Sequence, residues 1–230
     1  RRRRQAASGK SMKLFALAAL LALAPMAALA HPHIVISQAV RAIESNGAYT
    51  HVEVVWKFDP HASEDEIPAI DEDKDGTFSE EEIRLLIRDT MPGFLKVGFL
   101  TWLNTGGADF NPTKEPDFNA RIDDPATFNP AEWDRNAGDG MQMPENKRAT
   151  LPLEPTKHSP RNLVYTMRFE LPKPVKNFSI TTYDPEDYMR VVVDKASLSK
   201  DCALDKHPTR KSEFIPGHPV YADRVTCHLP

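Results

Sequence analysis

The sequence has little of what enzymes commonly use for covalent chemistry. Its 230 residues include two cysteines and ten glycines, and they contain no G-x-S-x-G motif, no H-E-x-x-H motif and no glycine-rich phosphate loop. These absences argue against the common hydrolases, zinc proteases and nucleotide-binding enzymes. We therefore expect that the protein is not an enzyme.

The first 30 residues are predicted to be a signal peptide with an upstream basic segment. Six basic residues precede the apolar stretch Leu14–Ala30, which ends in the small-residue pattern Ala28-Leu29-Ala30. At 17 residues the stretch is short for a membrane-spanning helix, which needs about 20. We expect cleavage after Ala30 and a periplasmic or secreted protein.

Net charge limits the partners of the mature chain. Without the six basic residues of the signal, 23 basic residues face 33 acidic ones. A net charge of about −10 argues against nucleic acid and anionic membranes as partners and favours metal cations.

The most specific motif is an acidic loop between Asp71 and Glu82. Its spacing matches the calcium-binding EF-hand pattern D-x-[DN]-x-[DN]-G-x₅-E, with Gly76 at the sharp turn. Loop positions 1, 3, 5, 7, 9 and 12, which carry the oxygen ligands, are occupied by Asp71, Asp73, Asp75, Thr77, Ser79 and Glu82. Because Ca²⁺ prefers six to eight oxygen ligands, the spacing predicts a Ca²⁺ site.

Helix signals flank this loop and predict an EF-hand-like insertion over residues 63–90. Ser63 and Glu66 form one capping-box pattern, and Ser79 and Glu82 form a second. Pro68 is expected to end the first helix after about one turn, and Pro92-Gly93 is expected to end the second. Since no second loop of this spacing occurs, we expect a constitutive site rather than a cooperative sensor.

The predicted mature N-terminus offers a second, different metal site. A free α-amine, His31 and His33 are nitrogen ligands suited to Zn²⁺, Ni²⁺ or Cu²⁺. Pro32 has no backbone N–H, so a square-planar site that uses every intervening amide is excluded. The alternative is that both histidines only begin the first strand. A copper-dependent enzyme built on these histidines is the least favoured function.

The two cysteines are predicted to form a disulfide between Cys202 and Cys227. An oxidising compartment makes this the default, and the bridge would close a loop of about 25 residues. The alternative is that the cysteines bind a metal together with His207, His218 or His228.

Alternating apolar residues predict an α+β fold with an antiparallel β-sheet or sandwich. Residues 34–43 and 51–58 are expected to form a hairpin around Asn46-Gly47. Three strands within 163–193 are expected to form an antiparallel meander. Residues 104–161 lack periodicity and are predicted to be a long irregular segment. We expect one domain over residues 31–230, because each β region is too small to close a core alone.

Several short motifs together resemble a known family. They are His-Pro-His-Ile-Val-Ile at 31–36, Trp-Lys-Phe-Asp at 56–59, the loop at 71–76, and Tyr183-Asp184-Pro185 with Tyr188. The chain resembles a bacterial family of uncharacterised periplasmic proteins labelled as periplasmic components of an ABC-type transport system. That resemblance implies an accessory of a metal transport system and, as a partner, an inner-membrane metal transporter.

Overall fold

A computed structural model of the protein describes residues 34–124, 126–127, 161–215 and 218–230. Within these residues the chain forms two helices and nine strands that assemble into two sheets. The α+β class with antiparallel-rich, sandwich-like sheets is therefore confirmed.

The first sheet has five strands in the order β4-β5-β2-β1-β7. Its strands are β1 (Ile34–Ser45), β2 (Ala48–Phe58), β4 (Asp117–Asp123), β5 (Asn162–Val175) and β7 (Met189–Val193). All pairs are antiparallel except β1 with β7, which run parallel from Ile34 opposite Met189.

The second sheet has four strands in the order β3-β6-β9-β8. Its strands are β3 (Thr101–Asn104), β6 (Asn177–Thr182), β8 (Cys202–Ile215) and β9 (His218–His228), all antiparallel. A short 3₁₀ helix, Gly98–Leu100, precedes β3, and a second, Lys195–Ser197, precedes β8.

The predicted β1–β2 hairpin is confirmed. Asn46 and Gly47 both have positive φ, 52° and 75°. This conformation of a two-residue turn matches the twist of the flanking strands.

The hydrophobic core lies between the two sheets. The ring of Tyr49 in the first sheet packs edge-on against Phe178 in the second, with centroids 5.2 Å apart. Trp56 is fully buried, and its Nε1–H donates to Oε1 of buried Gln38 at 2.8 Å. The core cluster draws on both the N-terminal and the C-terminal strands.

The predicted three-strand meander is wrong. β5, β6 and β7 alternate between the two sheets, and β7 joins the first sheet beside β1. One residue, Lys176, separates β5 from β6, which is too short for a hairpin turn within one sheet. The chain therefore crosses to the other sheet.

Strands also occur in two segments for which the sequence predicted none, the irregular segment 104–161 and the C-terminal region. β4 lies within the 104–161 segment and pairs with β5, whereas residues 128–160 fall outside the described part. β8 and β9 form a hairpin across the polar C-terminal region. Val225 and Cys227 alternate into the core there and are fully buried.

Both helices extend past the expected stops. Helix α1 spans Pro60–Ile70 and helix α2 spans Glu80–Lys96. The expectation that Pro68 ends the first helix is wrong, as is the expectation that Pro92-Gly93 ends the second. Pro68 and Pro92 are solvent-exposed, so water can bind the carbonyl groups that lose their N–H partners.

Carboxylates cover backbone amides on the open edge of β7. Asp184 Oδ2 accepts from the N–H of Met189 at 2.8 Å, and Asp223 Oδ2 accepts from the N–H of Val193 at 2.9 Å. Asp194, just past the strand, instead donates its N–H to Gln38 O on the β1 side. Met189 and Val193 therefore present their amides to the edge of β7 that has no neighbouring strand of this sheet among the described residues.

Neither described helix combines the length and the apolar character needed to cross a membrane.

Candidate metal centre

The acidic loop lies between α1 and α2, and both helix ends are fixed by its residues. Asp71 ends α1, and its N–H donates to Ile67 O at 2.9 Å. Ser79 begins α2 as the N-cap and forms the predicted capping box with Glu82. The helix–loop–helix order expected from the sequence is therefore present.

Three of the predicted ligands converge. One carboxylate oxygen from each of Asp71, Asp73 and Glu82 lies within 4.8 Å of the others. Asp71 and Glu82 are 4% and 8% exposed, whereas Asp73 is open to solvent. In the part of the chain that is described, these form the one group of three or more Asp, Glu, His or Cys with such spacing.

The remaining predicted ligands lie outside that group. Asp75 Oδ1 accepts from both the N–H and the hydroxyl of Thr77, each at 2.8 Å. The Ser79 hydroxyl donates to Glu82 Oε2 at 2.8 Å. The side chains of Asp75 and Ser79 therefore form hydrogen bonds to other residues of the loop. Thr77 was expected to contribute only its backbone carbonyl.

The turn inside the loop needs left-handed backbone conformations. Lys74 and Gly76 have φ values of 61° and 87°. The N–H groups of Asp75 and Gly76 donate to the two oxygens of Asp71, each at 3.1 Å. Asp71 thus organises the turn around its own carboxylate, and Gly76 adopts its conformation without the cost of a Cβ.

Backbone amides keep Glu82 ionised. Its Oε2 accepts from the Ser79 N–H at 2.8 Å, and its Oε1 accepts from the Glu72 N–H at 2.8 Å. The hydrogen bond from the Ser79 backbone is the main reason that the pKa of Glu82 is lowered, and the Ser79 hydroxyl adds to this effect. An ionised carboxylate is the form that binds a cation.

Carboxylate, hydroxyl and carbonyl oxygens are hard ligands. They suit Ca²⁺ or Mg²⁺ and disfavour the softer transition metals, which prefer imidazole or thiolate. Of these two ions, Ca²⁺ accepts more oxygen ligands and a less regular geometry than Mg²⁺.

A hydrogen-bond junction fixes the start of α1 against the first sheet. Asp59 Oδ1 accepts from the N–H groups of His61 and Ala62 at 2.9 and 3.0 Å, and its Oδ2 accepts from the Val35 N–H at 2.8 Å. Fully buried Ser63 accepts from the Leu163 N–H at 2.9 Å and donates to Asp59 O at 2.7 Å. The loop therefore sits on a helix tied to β1, β2 and β5.

Sequence reasoning placed the start of this helix at Ser63 and missed the cap at Asp59. The signal was present, because Asp59-Pro60 combines a preferred N-cap residue with proline at the first helical position.

The other predicted metal ligands do not join this site. His31 and His33 lie outside the described residues, so the transition-metal site there stays a prediction. Cys202 and Cys227 are cross-strand partners in β8 and β9 and form the predicted disulfide. The alternative in which these cysteines bind a metal with His207, His218 or His228 is therefore wrong.

The remaining C-terminal histidines have other neighbours. His207 contacts Asp109, with Nε2 and Oδ2 3.4 Å apart. His228 Nδ1 lies 2.8 Å from Asn177 Oδ1. The side chain of His218 is outside the described part of the chain.

Comparison with known proteins gives a family but no activity. The model of a family described as "Protein of unknown function (DUF1007)" matches residues 16–215. No curated protein and no solved structure matches the chain. Since the family match covers most of its length, the chain belongs to this family of proteins of unknown function, DUF1007.

Proposed function

We propose that the protein is a periplasmic or secreted calcium-binding protein whose single EF-hand-like loop holds Ca²⁺ between α1 and α2. The observation that carries this proposal is the convergence of Asp71, Asp73 and Glu82 at loop positions 1, 3 and 12. All three of these residues are among the six that the loop spacing predicts as ligands.

The hydrogen bonds around the loop support a structural role for the ion. Ser79 and Glu82 form a capping box at the start of α2, and Asp71 accepts from two amides of the loop turn. These hydrogen bonds within the loop, together with the lack of a second loop of this spacing in the sequence, favour a structural ion over a cooperative sensor.

The expected affinity is that of an extracellular module. Such sites have dissociation constants of about 10⁻⁴ to 10⁻³ M, which suffice where free Ca²⁺ is in the millimolar range. By linkage, Ca²⁺ at about 1 mM and a dissociation constant of about 10⁻⁴ M would stabilise the folded state by about 1.4 kcal/mol.

The wider role that we propose is that of an accessory to a metal transport system, with an inner-membrane metal transporter as partner. Its support is the resemblance of the N-terminal, Trp-Lys-Phe-Asp and Tyr-Asp-Pro motifs to transport-labelled periplasmic proteins. Ca²⁺ would serve in this role as a structural ion.

Calorimetric titration of Ca²⁺ into Glu82→Gln tests the site. Glutamine keeps the capping box because it also occupies its third position, but it removes the bidentate carboxylate. We expect Ca²⁺ affinity to fall at least about tenfold. Glu80→Gln is the matched control, since Glu80 is an exposed carboxylate in the same helical turn.

Two results would contradict the calcium proposal. One is the absence of binding heat at millimolar Ca²⁺ in the parent protein. The other is an equal loss of affinity in the Glu80 and Glu82 variants, which would indicate diffuse attraction by negative charge rather than a coordination site.

A further inference from the structure

A four-residue turn interrupts the pairing of β8 with β9. Lys206 pairs with Asp223 and Lys211 pairs with Tyr221. Four residues, His207–Arg210, therefore stand opposite the single residue Ala222. The extra length lets the turn leave the sheet edge and reach the loop that follows β3.

Two side chains of the turn contact Asp109 in that loop. Arg210 Nη2 donates to Asp109 Oδ2 at 3.0 Å, and His207 Nε2 lies 3.4 Å from the same oxygen. The Arg210 guanidinium also lies over the ring of Trp102, 4.2 Å from its centroid. The turn thus covers Trp102.

The His207 ring also closes the turn from inside. Its Nδ1 accepts from the N–H groups of Thr209 at 3.2 Å and Arg210 at 3.0 Å. Because backbone amides only donate, Nδ1 carries no proton, and the proton of the neutral ring is on Nε2, facing Asp109. A second proton can enter only at Nδ1, where it would face two donors.

We propose that residues His207–Arg210 form a pH-sensitive latch over Trp102, closed while His207 is neutral and opened when Nδ1 is protonated. Opening releases the amides of Thr209 and Arg210, and Arg210 then leaves the ring of Trp102. The latch requires no ligand and is independent of the proposed Ca²⁺ site.

Among the charged and titratable groups that face one another at this turn, His207 is the one expected to change its protonation near neutral pH. Asp109 faces it from the β3 loop, Asp205 and Arg210 from β8, and Arg224 from β9. The pKa values of both aspartates are lowered, that of Asp109 chiefly by Asn104 and that of Asp205 by Arg224. Arginines stay charged throughout.

Burial favours the closed, neutral state at pH 7. His207 is 8% exposed, and this burial is the main cause that lowers its pKa, although Asp109 opposes the shift. In the open state the imidazole returns to water and an ordinary pKa of about 6.5. The open population should therefore rise about fivefold between pH 6.5 and pH 5.5.

Amide hydrogen exchange of the whole protein, expressed as protection factors at pH 7.5, 6.5 and 5.5, tests the latch. We expect the protection of Thr209 and Arg210 to fall by about tenfold between pH 7.5 and pH 5.5, while the protection of β9 amides stays unchanged. His207→Asn should remove this dependence, since an asparagine carbonyl accepts the same i+2 amide and does not titrate. His228→Asn is the matched control and should behave as the parent.

Two results of the exchange experiment would overturn the latch. The first is constant protection of the turn amides over this pH range. The second is the same loss of protection in His207→Asn. Nitrogen NMR of the His207 ring in the parent protein gives an independent reading that does not depend on a variant folding. Protonation of Nδ1 with the turn amides still protected would equally refute the proposal.

Discussion

The side chain of Asp59 holds three backbone amides at the junction between sheet and helix, and its removal should be costly. Two of the amides belong to the first turn of α1, and the third is the Val35 N–H at the start of β1. Asp59 is only 6% exposed, so water does not readily replace the carboxylate.

The expected cost of Asp59→Ala is about 2–4 kcal/mol in the free energy of unfolding. Loss of an N-cap costs about 1 kcal/mol, and leaving the partly buried Val35 N–H without an acceptor costs about 1–3 kcal/mol more. Asp59→Asn should cost about 1 kcal/mol less than Asp59→Ala. Its oxygen keeps the helix cap, but its NH₂ group then faces the Val35 N–H, and both groups are donors.

Urea unfolding followed by circular dichroism in excess chelator measures both variants without a contribution from Ca²⁺. An unchanged m-value shows that the loss lies in stability rather than in the denatured state. The account of this junction fails if Asp59→Ala stays within about 0.5 kcal/mol of the parent, or if asparagine is as damaging as alanine.

Two further predictions concern backbone restraints. Replacing both Cys202 and Cys227 by serine should lower the free energy of unfolding by about 3 kcal/mol, the value for a loop of about 25 residues. Chemical reduction of the parent protein should give the same loss. An unchanged free energy of unfolding would contradict this prediction. Gly76→Ala should destabilise by about 1 kcal/mol, because its φ is 87° although no atom blocks a Cβ. Gly93→Ala, equally unobstructed but inside α2, should stabilise by a similar amount when both glycine variants are measured by urea unfolding. Changes of equal sign would contradict this pair.

Local features of the fold were readable from the sequence. The Asn46-Gly47 turn needs positive φ at both positions, and few residue pairs adopt it easily. The acidic loop is also local, since twelve consecutive residues define its spacing. The capping box of Ser79 and Glu82 was correct for the same reason.

The division of strands between two sheets was not readable. Alternation of side chains shows that β5, β6 and β7 each have a buried face, but it does not show which sheet that face belongs to. Prolines such as those at 172 and 174 are typical of a turn, yet here they fall in a bulge of β5, where four residues oppose Thr50. A bulge accommodates the missing N–H groups, so the strand continues to Val175.

The contacts that hold the site against the rest of the fold could be predicted from the sequence only in part. The predicted ligands are near one another in sequence, whereas Ser63 and Leu163 are 100 residues apart and meet through one hydrogen bond. No local pattern specifies such a partner. The contact of His207 with Asp109, 98 residues away, is of the same kind.

The carboxylates on the open edge of β7 bear on how the protein behaves at high concentration. An added strand from a second copy would have to displace Asp184 from Met189 and Asp223 from Val193 before it could form a ladder. Natural sheets use inward-pointing charge at an edge to discourage this kind of self-association. Asp223 is further held by Lys206 at 2.9 Å. The same hydrogen bonds that fix β7 in place thus act as a guard against the growth of intermolecular β-sheet from that side.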